Sequence, residues 1–429
     1  LEAYNNIGVA YTSWKKNNKA IEFFDRAIQI NPSYAEAHNN KGNALKERGD
    51  YKLAVVCYEK ALNLNSNYID AIRNLGIIWD LMNDYTKSER YFRQALSLNP
   101  SSIPTLYDLA NCLFNSKDYM RAIDVCKKII DIDLSFFYAY NRMGLCYIQL
   151  ENEQKAIDFF EKAIQIKPDY LEGLTNYGLV LLWFKNYSKA SAQFEKVLRI
   201  DPDNHQAFVN LSRSHFDDGH LLKAVKVARQ GLLSRPKDVP LLKNLTEALM
   251  LLNRFDEASV SCNEILLTNN DDADSINTMG TIYEKQGFYD KAKNQFLRAL
   301  ELDPNLVLAK INIATLYQLE GKEEKANEIY ADVAKEHTDN AEVLYRRSTF
   351  AFKQEKFEEA WRYYEYRWKA FPMNKAKWPI QKRAVWKGER GGHVALWKEQ
   401  GIGDQIICLS LVPEVKKICD SLSVYVDPR

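Results

Sequence analysis

Residues 3–32 read AYNNIGVAYTSWKKNNKAIEFFDRAIQINP, which is two segments with helical spacing of apolar residues, joined by the polar turn KKNN and closed by a proline. Its landmarks are Gly8, Ala20, Phe24 and Pro32, and they recur every 34 residues along most of the chain. Ala20 and Phe24 lie four residues apart, which places both side chains on one face of an α-helix. A fixed period of this length is typical of an array of helical hairpins. The alanine position recurs in eleven units without an insertion, at Ala20, Ala54, Ser88, Ala122, Ala156, Ala190, Ala224, Ala258, Ala292, Ala326 and Ala360.

A second row, twelve residues before each alanine, holds only small side chains. Small residues let two helices approach each other closely. Prolines end seven of the units, as at Pro32 and Pro168, because proline cannot continue a helix. Each unit is therefore predicted to be a helix, a turn and a second helix. The small row is Gly8, Gly42, Gly76, Ala110, Gly144, Gly178, Ser212, Thr246, Gly280, Ala314 and Ser348.

The pattern of small residue, aromatic residue, alanine and proline at a period of 34 resembles the tetratricopeptide repeat family, over residues 1–374. The resemblance implies a mostly α fold, a right-handed α-solenoid of about eleven hairpins, because one hairpin cannot bury its apolar face alone. It also implies a concave groove lined by the first helix of each hairpin. A protein or peptide ligand is the partner expected in that groove.

Composition narrows the function classes. The 429 residues are 46% hydrophobic and 27% charged, with 58 Lys plus Arg against 57 Asp plus Glu, so no net field favours nucleic acid as a partner. The longest strongly apolar run, residues 178–184, is far shorter than the roughly 20 residues of a membrane-spanning helix. The seven cysteines form no CxxC pair and no cluster typical of a metal site, which favours a reducing, cytoplasmic location. Cys126 and Cys262 take the place of the usual aromatic residue and are predicted to lie in the core.

The ladder row, two residues before each small residue, is our best guide to a groove ligand. Seven of its eleven members are asparagine. An amide offers a donor and an acceptor, so a row of amides can pair with an extended peptide whatever its side chains. The row resembles the asparagine ladder of O-linked N-acetylglucosamine transferases; because asparagine is common at this position of the repeat, a generic scaffold remains an equal alternative. The row is Asn6, Asn40, Asn74, Asp108, Arg142, Asn176, Asn210, Asn244, Thr278, Asn312 and Arg346, in which Arg142 and Arg346 could meet an acidic ligand.

The repeat pattern stops at residue 374. A basic connector, residues 375–392, leads into residues 393–429, where VALWKEQ predicts a buried strand, GIGD a tight turn, DQIICLSLV a helix and SVYVD a second strand. This order is typical of the first βαβ segment of a Rossmann-like parallel sheet. Such a unit places Gly401, Gly403 and Asp404 where ligands of open sheets bind, although an aspartate that only complements a helix dipole explains Asp404 equally simply.

Residues 375–429 also resemble bacterial proteins in which tetratricopeptide repeats precede a GT-B glycosyltransferase domain similar to the heptosyltransferases. The resemblance rests on EYRW, PxxxRAVWKGE and EQGIGDQI. It implies Asp404 as a general base, Gly401 and Gly403 as the residues that shape the loop, a nucleotide sugar as donor and a glycan or protein as acceptor. The donor half is not seen, so we expect a fragment that binds no cofactor and transfers no sugar, cut from an active parent.

Two other functions remain open at this point. The protein could be a non-catalytic scaffold with a degenerate α/β domain. It could also form a homo-oligomer through exposed aromatic residues such as Trp14 and Trp361.

Overall fold

The computed structural model describes residues 1–336, 340–364, 366, 393–397, 416–417 and 421–425. It divides into two compact units, residues 1–326 and 327–429. The predicted boundary after residue 374 lies outside the described residues.

The described secondary structure consists of 22 helices and two strands. The elements are α1 (Glu2–Ser13), α2 (Asn17–Ile30), α3 (Ala35–Arg48), α4 (Tyr51–Leu64), α5 (Ile69–Leu81), α6 (Tyr85–Leu98), α7 (Ile103–Asn115), α8 (Tyr119–Ile132), α9 (Phe137–Gln149), α10 (Glu153–Ile166), α11 (Leu171–Trp183), α12 (Tyr187–Ile200), α13 (His205–Asp217), α14 (Leu221–Ser234), α15 (Val239–Leu251), α16 (Phe255–Thr268), α17 (Ala273–Lys285), α18 (Tyr289–Leu302), α19 (Val307–Leu319), α20 (Glu323–Glu336), α21 (Ala341–Lys353), α22 (Phe357–Tyr364), β1 (His393–Trp397) and β2 (Ser421–Tyr425).

The helices of residues 1–326 pair in the order that the period predicts. Odd-numbered helices are the first helices of the hairpins, and from α1 to α17 each contacts the second helix that follows it, as α1 contacts α2. Each second helix then packs on the first helix of the next hairpin, as α2 packs on α3. This stack of hairpins, one per 34 residues, confirms the predicted α-helical solenoid.

The core of each hairpin is a close contact between the small row and an aromatic ring. A Cβ atom built on Gly8 would lie 2.5 Å from the ring of Phe24, and one on Gly76 would lie 2.6 Å from the ring of Phe92. Both rings are buried, as is Ala20. Glycine is therefore required in these hairpins because any larger side chain would collide with the ring. The same contact, at 2.5–2.7 Å, recurs at Gly42, Gly144, Gly178 and Gly280.

Every turn within a hairpin ends the first helix in the same way. In the first turn the N–H of Lys15 donates to the carbonyl of Thr12 and the N–H of Lys16 donates to that of Tyr11, both at 2.9 Å. This is the Schellman arrangement, which places one residue in the left-handed region. That residue falls at the fifteenth position of all eleven hairpins: Lys15, Gly49, Asn83, Lys117, Glu151, Lys185, Gly219, Asn253, Gly287, Gly321 and Glu355.

In the second unit, helices α21 and α22 contact each other and form a further hairpin. Strands β1 and β2 pair in parallel, with His393 opposite Ser421 and Trp397 opposite Tyr425. Parallel strands need a crossover connection of about a dozen or more residues. Most of the residues that would form it lie outside the described part of the chain, so the Rossmann-like assignment stays a prediction.

Candidate functional site

Neighbouring first helices of residues 1–326 contact each other along much of this unit. Each first helix contacts the next first helix from α1 to α15, and α17 contacts α19. A side chain of one first helix therefore lies beside the equivalent position one repeat away. The ladder row lies on these helices, whose surface we call the first-helix face.

Side chains of the ladder row join neighbouring repeats through one recurring hydrogen bond. The Nδ2 of Asn40 donates to the Oδ1 of Asn5 at 3.1 Å, and these residues are 35 positions apart. An amide carries two N–H donors, so this bond commits only one of them. The ladder row therefore ties successive repeats together and keeps donors for another partner, except at Asn312, whose Nδ2 also donates to the Oγ1 of Thr281 at 3.3 Å. The same bond joins Asn74 to Asn39 (3.0 Å), Asn176 to Asn141 (3.2 Å) and Asn312 to Asn277 (3.0 Å), and Asn244 donates to the backbone carbonyl of Val209 (3.0 Å).

Two asparagines of the ladder row do not make this bond. Asn6 is exposed, and its side chain makes no hydrogen bond within the described residues. Asn210 is buried, and its Oδ1 accepts a hydrogen bond from the Nε2 of Gln206 at 3.2 Å. The Nδ2 of Asn210 is also buried but has no acceptor among the described residues. Asn210 therefore keeps both of its N–H donors uncommitted.

Asp108 and Arg142, two charged members of the ladder row, each contact side chains of the preceding repeat. Arg73 donates through Nε to the Oδ2 of Asp108 at 2.6 Å; burial raises the pKa of Asp108, and Arg73 opposes that rise. Arg142 instead meets rings, with its guanidinium 5.9 Å from the ring centroid of Tyr107 and 4.8 Å from that of Phe114. In the described part of the chain no carboxylate lies within 4.0 Å of Arg142, and its buried Nε has no acceptor. Arg142 is thus a half-buried cation without a counter-charge in contact.

Apolar side chains are exposed on the same helices. Leu179 and Trp183 lie four residues apart on α11, on one side of that helix, and Trp183 is 77% exposed. Leu81, Leu251 and Leu319 occupy the position of Trp183 in other repeats and are exposed as well. The first-helix face therefore combines polar groups that can orient a ligand with apolar groups that can bury part of it.

The other predicted site residues are placed as follows. Arg346 lies half-buried on α21. Gly401, Gly403 and Asp404 lie outside the described residues. Within the described ranges, no group of histidine, cysteine and carboxylate side chains could hold a metal ion, and no helix is long and apolar enough to cross a bilayer.

Sequence profiles described as tetratricopeptide repeat match seven segments of the chain, which together cover just over half of it: residues 1–34, 35–68, 74–102, 91–124, 137–170, 171–204 and 273–306. Most of these segments coincide with the hairpins described above. The chain belongs to the tetratricopeptide repeat (TPR) family. As a stack of TPR hairpins it is a scaffold for protein–protein interaction.

Several solved structures are similar to this TPR chain. YrrB, described as a TPR protein with an unusual peptide-binding site, is 26% identical with a TM-score of 0.35, and the match covers 40% of this chain and 88% of YrrB. MamA from Desulfovibrio magneticus RS-1 is 21% identical with a TM-score of 0.36, covering 40% and 96%. PilF of Pseudomonas aeruginosa is 17% identical with a TM-score of 0.42, covering 50% and 97%. No curated protein matches the chain.

Four of the five cysteines in the described hairpins are buried in the core, and Cys57 is partly buried. Cys126 and Cys262 are fully buried, as predicted, and burial raises the pKa of each thiol to about 12. A thiol with such a pKa carries almost no thiolate near neutral pH, and the thiolate is the reactive form. Neither residue is a nucleophile.

Sequence reasoning missed the acceptors of the ladder row. Asn5, Asn39, Asn141 and Asn277 precede the row by one position and accept its hydrogen bonds. The adjacent asparagines at 5–6 and 39–40 were the signal that could have revealed them. In a TPR stack, a side chain at the fifth position of one repeat faces the sixth position of the next.

Proposed function

We propose that this TPR chain binds an extended peptide along its first-helix face and thereby recruits a protein partner. The observation that supports the proposal is a set of buried polar atoms on the first helices with no partner among the described residues: the donors Trp79 Nε1, Arg142 Nε, Asn210 Nδ2 and Gln318 Nε2, and the acceptor Asn111 Oδ1. A buried polar atom left without a hydrogen bond costs about 1–3 kcal/mol. The carbonyl and N–H groups of an extended backbone supply both kinds of missing partner.

The ladder row contributes donors that are independent of the ligand's sequence. The amides of Asn40, Asn74 and Asn176 have each committed one N–H to the preceding repeat, which also fixes their orientation. The remaining N–H of each amide can donate to a peptide carbonyl. Successive peptide groups of an extended ligand would therefore meet donors held in place before binding, which lowers the entropy cost of association.

Arg142 adds a preference for an acidic residue. A carboxylate arriving at Arg142 gains charge-assisted hydrogen bonds without first breaking an ion pair. Arg213, on the first helix α13, differs because it already pairs with Asp217 and Glu247 at 3.1 Å each. We therefore propose that the bound peptide carries an aspartate or glutamate opposite Arg142. Exposed Trp183, one repeat further along the chain, suits a large apolar side chain of the same peptide.

A peptide library tests this part of the proposal. Binders selected from random peptides against the 429-residue chain should be enriched in Asp or Glu. Loss of a hydrogen bond to a charged group costs about 1.5–3 kcal/mol, so Arg142→Gln should weaken a selected acidic peptide about 10- to 150-fold. Arg213→Gln is the matched control and should change the affinity less than about threefold, because exposed pairs contribute little. Equal losses in the two variants, or binders with no acidic preference, would contradict the assignment of Arg142.

We also propose, on the sequence resemblance alone, that residues 375–429 belong to a glycosyltransferase domain that acts on what the repeats recruit. In this proposal Asp404 is the general base, Gly401 and Gly403 shape its loop, and the donor is a nucleotide sugar. The full-length protein, incubated with a panel of nucleotide sugars, should release nucleotide, and Asp404→Asn should lower the rate about 10²- to 10⁴-fold. No turnover of any donor would favour the alternative, a non-catalytic scaffold or an oligomerisation module.

A further inference from the structure

A cavity of about 470 Å³ opens between α12 and α14, the second helices of the sixth and seventh repeats, with α13 beneath it. Leu198 on α12, Leu211 on α13 and Val227 on α14 form apolar parts of its wall. These helices belong to the opposite row of the hairpins from the ladder row. The cavity is therefore separate from the proposed peptide site.

His215 is the unusual residue of this cavity. It lies at the eleventh position of its repeat, where the eleventh repeat has Ala351 and the others have a leucine or an aromatic residue: Tyr11, Leu45, Trp79, Leu113, Tyr147, Leu181, Leu249, Tyr283 and Tyr317. The imidazole is buried, at 9% exposure, and lines the cavity, and its ring makes no hydrogen bond within the described residues. At the base of the cavity an imidazole thus stands where most repeats have a leucine or an aromatic side chain. Its two ring nitrogens can hydrogen-bond to a ligand.

The rim of the cavity carries excess positive charge. Arg199, Lys223 and Lys226 line it together with one acid, Glu195, and none of the three cations has a carboxylate within 4.0 Å in the described part of the chain. The pKa of His215 is lowered, first by burial and then by the charge of Lys223; Glu195 and Asp218 oppose that change, and His220 adds to it. With His215 neutral, the charges of the lining residues leave an excess of two positive charges.

We propose that this cavity binds a small organic phosphate, with the phosphate among Arg199, Lys223 and Lys226 and the organic part against the apolar wall. A phosphate monoester carries close to two negative charges at neutral pH, which matches the excess of the lining. Arginine and lysine are the side chains that proteins use most for phosphate. The base of the cavity is apolar apart from His215, so an organic group buried there gains contact area that a bare phosphate ion does not.

The pKa of His215 should change when an anion binds in the cavity. An anion close to His215 stabilises the imidazolium form and raises its pKa, by about 1 or more for an opposite charge within 4–6 Å. By linkage the ligand binds more tightly when His215 is protonated, whereas protonation of the phosphate itself, whose second pKa is about 6, weakens binding as the pH falls.

Phenyl phosphate is the probe, and the six histidines of the chain allow the test by NMR of ¹³C-labelled imidazoles, with His215 assigned from His215→Gln. Saturable binding that raises the pKa of His215, tighter than that of inorganic phosphate or benzoate, is the expected result. Inorganic phosphate binding as tightly as phenyl phosphate would overturn the role of the apolar wall. No response of His215 would overturn the site.

Two variants and one control separate a built site from general surface charge. Lys226→Gln should weaken phenyl phosphate about tenfold, whereas Lys60→Gln, which removes an exposed lysine from the second helix α4, should leave the affinity unchanged. His215→Tyr restores the side chain found at the equivalent position of other repeats, so the protein should fold while the cavity is filled and binding is lost. Equal effects of the two lysine variants, or full binding by folded His215→Tyr, would refute the proposal.

Discussion

Six of the first nine repeats pack a glycine against an aromatic ring, whereas the fourth, seventh and eighth have a larger residue at the glycine position and a smaller one at the ring position. The glycine of the fifth repeat, Gly144, would place a Cβ 2.7 Å from the ring of Phe160. The equivalent pairs elsewhere are Ala110 with Cys126, Ser212 with Ala228 and Thr246 with Cys262, and all six of these side chains are buried. Since protein interiors are close-packed, a larger residue at the first position goes with a smaller one at the second in these nine repeats. The tenth repeat differs, because it packs Ala314 with the buried Tyr330.

In the seventh and eighth repeats, replacement of the glycine also brings a hydroxyl group into the core. The hydroxyl of Thr246 lies 2.7 Å from that of Ser261, and the hydroxyl of Ser212 donates to the carbonyl of Ala224 at 3.3 Å. Burying a hydroxyl is costly unless it is hydrogen-bonded, and both of these hydroxyls are hydrogen-bonded. The seventh repeat is also the one that carries His215. In the seventh and eighth repeats the position of the glycine therefore carries a polar group inside the core, although Ser88 and Ser191 are buried in repeats that keep the glycine and ring pair.

The largest expected effect comes from removing the ring itself. Phe160→Ala should lower the free energy of unfolding by about 3–5 kcal/mol, because it deletes a fully buried ring beside a glycine that cannot fill the space. Cys126→Ala, at the same position of the fourth repeat, should cost only about 1 kcal/mol. Urea unfolding measures both. Hydrogen exchange should show the loss of protection first in α9 and α10, because each repeat of a solenoid contacts only its neighbours. Similar losses in the two variants would argue against a shared volume.

A single added methyl group sharpens the same comparison. Gly76→Ala places a Cβ 2.6 Å from the ring of Phe92 and should destabilise the protein by about 1–3 kcal/mol through overpacking. In a Phe92→Cys background, which copies the pair found in the fourth repeat, Gly76→Ala should cost little. The double-mutant cycle should yield a coupling energy of at least about 1 kcal/mol. Additive effects would show that the two side chains do not compete for one space.

The packing of the hairpins was predictable because its signals are local and repeat at one period. Gly8 and Phe24 lie within one 34-residue unit, so the sequence pattern places them in contact once the hairpin is recognised. The same reasoning correctly assigned Cys126 to the core. Such an inference is reliable in a solenoid, because the same sequence pattern recurs in successive repeats.

The site was less predictable because its contacts cross between repeats. The row of asparagines was visible, but the bond from Asn40 to Asn5 depends on how one first helix lies on the next. The lack of a carboxylate in contact with Arg142 depends on which acidic side chains fail to reach it in the described part of the chain, and no periodic pattern records that absence. The cavity at His215 similarly needs three helices from two repeats. The assignments of Gly401, Gly403 and Asp404 stay predictions from resemblance, because these residues lie outside the described part of the chain.

The smallest expected effect concerns the turns, which are alike in backbone and different in sequence. Gly219 has φ of +78° and no atom within 4 Å of a Cβ built on it, so Gly219→Ala tests backbone strain alone and should cost about 1–2 kcal/mol. Lys185 adopts the same conformation with φ of 61°. Lys185→Gly should therefore relieve backbone strain and stabilise the protein. The gain should be less than about 1 kcal/mol, because glycine loses more conformational entropy on folding than lysine does. Thermal unfolding should move in opposite directions for the two variants. Destabilisation by Lys185→Gly would mean that the lysine side chain contributes contacts that outweigh the strain of its backbone, and that the eleven turns are equivalent in geometry but not in energy.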